Sequence, residues 1–483
     1  MKFSPRERQA LGLSYILERL SPLTPYGREL KRELQPLGSL EAVQGELRRV
    51  DTVKTRLPHW GSAVDRLLEV LAEFKDIRGS LDRLDQGEVL TDLELFELKM
   101  CALLLQDLGV LLDILDWRDE ELHPLPEVLR LLDPENTALR TFHLYDGYSG
   151  ELAQIRKKKR MLEEEIRRCP EEEKIPLFQH RRQVVREEEE EEYEVRAMLS
   201  AKLAPHTARY GENLRALGRL DFLLAKGLLA REGKTVLPVM ESSGMLELQE
   251  GLNPYVSALL AEQGKTFQPV TLTLLPGSTV VTGANMGGKS VTLRTLVLNA
   301  TLAGWGILPY ARDFRLPYFQ AIFWVAEDLE DLERGLSSFG GEILRLKEIL
   351  RSLGKRPSLV VLDEPARGTN PQEGASLVTG LLRYFQARED LLLVTTHYEI
   401  PRWEGVKRLR VKGLQEAKLE TFSTGNPQEE RELIAQISSL MDYRLEEDEE
   451  DVPGRDALRI AKILGLPEEI FADIEINMKG NKG

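Results

Sequence analysis

The nine residues TGANMGGKS, Thr282 to Ser290, constrain this chain more than any other stretch. Gly283, Gly288, Lys289 and Ser290 fit G-x-x-x-x-G-K-[ST], set between STVVTG, which reads as a strand, and SVTLRTLVLNATLAG, which reads as a helix. Glycines let backbone N–H groups close around phosphates, Lys289 neutralises β and γ oxygens, and the Ser290 hydroxyl can ligate Mg²⁺. The strand and helix context is what that mechanism demands, so an α/β P-loop nucleotide site is expected here.

Three further stretches supply partners for it. The apolar run SLVVLDEP ends a strand at Asp363 and Glu364. An aspartate there can hold the Mg²⁺ shell through water, and the following glutamate can polarise an attacking water. His397 follows the strand LLLVTT, where a polar ring can sense the γ-phosphate. GLSSFGGE, Gly335 to Glu342, opens the helix EILRLKEIL and suits phosphate at a helix N-terminus, including one on a neighbouring subunit.

The rest of the 483 residues reads as mostly helical, with 42% hydrophobic content and room for several cores. Ser4, Pro5 and Glu7 form a helix entrance, and helical apolar runs continue to about Asp116. Between Tyr148 and Leu203, Leu152, Ile155, Leu162, Ile166 and Cys169 follow heptad spacing, with Lys159 in one seam position. Pro170 stops that arm. The returning arm carries Val185, Val195 and Leu199, but Glu187 to Glu192 put acids in its seam, so it is expected to be loosely held. The result is a short antiparallel coiled-coil hairpin with arms of about 30 Å. The domain plan is 1–116 helical, 117–235 helical core with the hairpin at about 148–203, 236–425 ATPase, and 426–483 an acidic helical tail with LEEDEEDVPG as linker.

Bulk properties exclude other chemistries. A formal charge of -15 repels polyanions, so nucleic-acid binding needs a local basic patch, and the basic run Arg156 to Arg160 faces glutamates. Cys101 and Cys169 form no C-x-x-C pair, which points away from disulfides and zinc. MKFSPRERQA lacks a signal-peptide core and no run is apolar enough for a membrane span, so a cytoplasmic location is expected.

Taken in order, TGANMGGKS, DLERGLSSFGGE, LDEPARGTNPQEG and TTHYE resemble the ATPase domain of the MutS family, an ABC-type α/β fold. The similarity is strong from about Val236 to Arg410 and weaker from Gly147 onward. It implies that Asn285, Met286, Gly287, Gly288, Lys289 and Ser290 bind ATP and Mg²⁺, with Asp363 the metal-linked acid and Glu364 the catalytic base. It further implies that Ser337 contacts the γ-phosphate of a partner's ATP, that His397 completes the site and that Phe267 stacks on adenine. A homodimer or heterodimer would then sandwich the nucleotides. DEPARGTNP departs from the DEIGRGT form of mismatch-repair members at Pro365 and Ala366.

Two uses of such a cycle follow. DNA repair is the family's usual work, yet no phenylalanine here is followed at the second position by glutamate, as a mismatch wedge requires, and the arms are stubs. A clampless, acidic chain with SSFGGEILR and DEPARGTNPQEG is most similar to the MutS-related ATPase component of reactivases for lysine 5,6-aminomutase. That resemblance implies a protein target, a cobalamin-dependent aminomutase opened to exchange damaged cofactor. No D-x-H-x-x-G cobalamin motif is present, so the cofactor would stay on the target.

Overall fold

The computed structural model describes residues 3–170, 174–283, 288–326, 338–414, 441–448 and 470–471. The chain divides into two compact units: residues 1–20, 35–54 and 226–483 form one, and residues 21–34 and 55–225 the other.

The first part of the chain is helical: α1 (Pro5–Leu11), α2 (Leu13–Arg19), α3 (Pro25–Arg32), α4 (Leu40–Trp60), α5 (Ser62–Glu73), α6 (Arg78–Asp85), α7 (Asp92–Ile114), α8 (Pro126–Leu132), α9 (Gly150–Arg168), α10 (Lys174–Leu203) and α11 (Thr207–Glu232). The expected entrance to α1 is present as a full capping box, Ser4 and Glu7 each bonding the other's backbone N–H. Within the all-helical unit, the N-terminal turn of α3 is held by the buried Asp221 of α11. Its carboxylate accepts from the N–H groups of Leu23 and Thr24 and from the Thr24 hydroxyl. Burial pushes that carboxyl's pKa up, while these three donors oppose the rise.

Helices α9 and α10 run antiparallel: Arg156 reaches Glu188 and Glu192 near one end, and Arg181 reaches Glu163 nearer the other. Two expectations are corrected here. The buried seam of α10 is Val184, Glu188, Val195 and Leu199, so Val184 takes the place expected for Val185. The returning arm is also firmly tied, because the seam glutamate Glu188 meets the seam lysine Lys159 and also Arg156. Lys158 pairs with Glu187 at 3.2 Å. The glutamate run therefore neutralises the basic run opposite it.

The other unit carries the strands: β1 (Val239–Glu241), β2 (Leu246–Gly251), β3 (Val270–Leu274), β4 (Gly277–Thr282), β5 (Asp313–Pro317), β6 (Ile322–Val325), β7 (Leu359–Asp363), β8 (Leu391–Thr395), β9 (Val406–Leu414) and β10 (Met441–Glu447). Between them lie α12 (Pro254–Glu262), α13 (Lys289–Gly304), α14 (Ser338–Ser352) and α15 (Pro371–Gln386). One sheet has the order β1-β5-β2-β3, the other β10-β9-β4-β8-β7-β6. In the larger sheet β4, β6, β7, β8 and β9 are parallel, and β10 is antiparallel to β9.

The central strands are almost continuously apolar because both faces are covered. Val280, Val360, Leu362, Leu392 and Val394 pack with Val378 and Phe385 of α15 and Leu346 of α14 in one core. Residues 441–447, expected as the end of an acidic helix and the start of the LEEDEEDVPG linker, are strand. Pairing with β9 closes that edge of the sheet, and salt bridges from Arg410 and Lys407 to Glu446 and Glu447 use the acidity of the segment. No helix among the described residues is long and apolar enough to cross a membrane.

Candidate functional site

Parallel strands β4, β7 and β8 lie side by side in the sheet, so the segments following their carboxyl ends meet at one edge. Such an edge is where α/β sheets place ligands. Gly283 follows β4 with φ +129°, and Gly288, at φ +72°, opens α13. Both values lie where side chains are strained, which is why glycine stands there. At Gly288 space demands it as well, since a Cβ would come within 2.9 Å of the Tyr443 ring of β10.

Lys289 begins α13 and is 3% exposed. Its Nζ donates to the Gly283 carbonyl at 2.7 Å and forms an ion pair with Glu364 Oε1 at 3.2 Å. A buried ammonium needs such partners to remain charged. Ser290, the next residue, is half-buried in the first turn of α13.

The acids are set by β8. Thr395 donates its hydroxyl to Asp363 Oδ1 at 2.7 Å, and Thr395 Oγ1 accepts from the Glu364 N–H at 3.0 Å. Glu364 sits at φ +50°, a left-handed conformation that costs about 1–3 kcal/mol for a non-glycine residue. This turn carries its carboxylate toward Lys289. Its other oxygen lies 3.9 Å from His397 Nδ1 and 3.6 Å from Arg367. The structure thus gathers Lys289, Glu364, Arg367 and His397 around one carboxylate, with Asp363 at the strand end beside it.

A second brace holds this loop. Ala366, buried and at φ +65°, gives its N–H to both oxygens of Glu342 at 2.9 and 3.1 Å. Its carbonyl accepts the Tyr398 hydroxyl at 2.7 Å. Glu342 belongs to α14 and Tyr398 follows His397, so one residue, Ala366, links the GLSSFGGE helix, the acid loop and the segment after β8. Burial raises the Tyr398 phenol pKa, and the carboxylates of Glu342 and Glu364 raise it further. Sequence reasoning missed Glu342 and Tyr398. Both stand inside quoted motifs, but nothing in spacing shows that they meet.

Of the other expected residues, Asn285, Met286, Gly287 and Ser337 lie outside the described residues. Phe267 is half-buried ahead of β3, and its neighbour Gln268 bonds the Tyr443 N–H and the Asp442 carboxylate of β10. Tyr443 stands against the phosphate loop at Gly288. Asp442 is held well below the usual carboxylate range, first by the hydrogen bond from Arg444. Oxygen donors of the Ser290 and Asp363 type suit Mg²⁺, which keeps much of its shell in water and phosphate. Among the described residues there is no cluster of three or more His, Cys, Asp or Glu that could hold a metal.

Comparison with known proteins agrees with this geometry. Residues 279–478 match MutS domain V. Endonuclease MutS2 of Streptococcus thermophilus is 32% identical over 280 residues, covering 57% of this chain and 32% of that protein. For endonuclease MutS2 of Bacillus velezensis the figures are 30% over 283 residues, 58% and 33%. Putative endonuclease MutS2 of Bacillus subtilis is 30% identical over 288 residues, 58% and 33%. The chain thus spans about a third of the length of these curated relatives. These names speak of an endonuclease and do not extend to an aminomutase. Residues 279–478 carry a MutS-type ATPase domain, on a chain similar over more than half its length to MutS2 proteins.

Proposed function

We propose that this chain binds ATP with Mg²⁺ between β4, β7 and β8, hydrolyses it, and uses the cycle to change the conformation of a partner. The observation that carries this reading is the meeting of Lys289 and His397 at the Glu364 carboxylate. Lys289 would leave Glu364 for phosphate oxygens when ATP enters, because a polyphosphate offers it more negative charge. Glu364 is then the base that polarises water, His397 lies beside it to sense the γ-phosphate, and Ser290 and Asp363 hold the metal. Mg²⁺ supplies charge neutralisation on the β and γ oxygens. Phe267 would stack on the adenine, with Tyr443 beside the loop at Gly288, and Ser337 would serve the site of a second subunit in a homo- or heterodimer.

The expected result for Glu364→Gln is ATP binding with turnover reduced by at least about a hundredfold. Lys289→Ala should lose binding. Nucleotide binding and phosphate release, measured side by side, check both; undiminished turnover in Glu364→Gln removes the base.

The partner reading favoured by charge is a protein. The chain carries a net -15, and the basic run of α9 is matched by the glutamates of α10. Its narrowest form is reactivation of an adenosylcobalamin-dependent aminomutase, for which differential binding of ATP to two states supplies coupling of the order of 1–3 kcal/mol. DNA is the second reading, favoured by the names of the MutS2 relatives. ATP turnover with branched or mismatched DNA, and separately with inactivated aminomutase, distinguishes them. Stimulation by DNA that falls steeply with salt supports the second reading. Stimulation by the aminomutase with recovery of its activity supports the first.

A further inference from the structure

Helix α7 of the all-helical unit is apolar on two opposite sides. Leu95, Leu98, Ala102, Leu105 and Leu112 face its core and are buried. On the opposite side Leu93, Phe96, Met100, Leu103, Val110 and Ile114 recur at alternating three- and four-residue steps, with Asp107 in the one remaining position. That stripe is open to solvent: Leu93, Val110 and Ile114 are 64%, 58% and 66% exposed, and the other three are half-buried. A helix apolar all round belongs in an interior. At 1.5 Å per residue the stripe runs about 30 Å, and a repeat of this period matches the knobs-into-holes seam of another helix. At its N-terminal end a cavity of about 430 Å³ lies between Leu93, Val89 and the half-exposed Tyr193, which prolongs the apolar surface.

The border of this face selects its occupant. The only cation of α7, Lys99, is fully buried against Asp133. Arg196 pairs with Asp92, Arg140 is shared by Glu73 and Asp107, and Arg118 is shared by Asp113 and Asp116. Adding Glu97, six carboxylates stand against three guanidinium groups, a net of three negative charges. A second copy of the same face would bring like charge to like charge.

We propose that the outer face of α7 is the docking surface for an amphipathic helix of a partner protein, one with a seven-residue apolar repeat and lysine or arginine along its flanks. The surface lies in the helical unit, away in sequence from every residue of the ATP site, and the inference does not depend on what ATP turnover drives.

The test uses the full chain and two fluorescent synthetic helices of about 24 residues with the same leucine and isoleucine seam, one flanked by lysine and one by glutamate. The lysine-flanked helix should bind at one per chain, at least about tenfold more tightly than its glutamate twin, and weaken as salt rises. Val110→Glu with Ile114→Glu should weaken it at least about tenfold while leaving basal ATP turnover unchanged. Glu97→Lys with Asp113→Lys, which keeps the apolar stripe, should narrow or reverse the preference between the two helices. Equal binding of both helices, binding unaffected by the stripe variant, or no binding to the full chain overturns the proposal. So does sedimentation showing a dimer that the stripe variant dissolves, since the occupant is then a second copy.

Discussion

Glu364 and Ala366 show how much of the site is decided by single backbone torsions. Both residues are left-handed without being glycine, and each is held by partners on other elements: Thr395 for Glu364, and Glu342 with Tyr398 for Ala366. The chain carries Pro365 and Ala366 where mismatch-repair members have isoleucine and glycine, and the brace from Glu342 is what makes alanine tolerable there. Removing the acceptor in Glu342→Ala leaves a buried N–H unpaired, which costs about 1–3 kcal/mol. The expected outcome is a lower Tm together with kcat reduced about tenfold to a hundredfold by misplacement of Glu364, at nearly unchanged KM for ATP. Steady-state kinetics separate the two constants. Partial recovery in Glu342→Gln, which keeps an oxygen for the Ala366 N–H, distinguishes a positioning role from a general loss of folding.

Among the elements, the α9–α10 hairpin departs furthest from its reading in the sequence. A run of six glutamates reads as a solvated face or a damaged seam when only its own helix is considered. Opposite it, however, Arg156 reaches Asp146, Glu188 and Glu192, and the run becomes half of an ion-pair ladder. Arg156→Ala leaves the buried Glu188 with Lys159 as its partner and is expected to destabilise the helical unit by about 1–3 kcal/mol; thermal unfolding checks this. The pair with Asp146 also sets a pH dependence. Hydrogen bonding from Arg156 lowers the Asp146 pKa below its ordinary 3.8, so the contribution is present above that pH and fades as pH falls through the depressed folded value. Acid unfolding of Arg156→Ala should therefore lose part of its slope below about pH 4 relative to the parent. Strand β10 gives the same lesson. MDYRLEE alternates apolar Met441, Tyr443 and Leu445 with polar residues, but its acidity reads as tail and linker, and the edge of β9 that it covers decides for strand.

For the whole molecule, the proposed completion of the ATP site by Ser337 of a second subunit would make turnover depend on association. Specific activity should rise with protein concentration over the range in which sedimentation detects the dimer, and be flat above it. An activity independent of concentration, in a chain that sediments as a monomer, would confine the site to one subunit. Mixing Ser337→Ala chains with Glu364→Gln chains checks the same point, since in a mixed dimer the site that takes Lys289 and Glu364 from the first chain and Ser337 from the second is intact and can regain turnover that neither parent has.

The chemistry of the phosphate loop was legible in TGANMGGKS because it rests on local properties: glycines that permit φ above zero, a lysine and a serine at set spacing, and apolar runs long enough to be buried strands. Asp363, Glu364 and His397 were legible for a related reason, standing at the ends of such runs, which a parallel sheet brings to one edge. What no spacing contains is contact between segments far apart in the chain. Tyr443 reaches the end of the phosphate loop at Gly288, Glu342 bonds Ala366, and Val184 enters the seam in place of Val185 with Glu188 one turn on. Each of these depends on how helices and strands pack and on which buried polar group must find a partner, and only the folded chain brings those partners within reach.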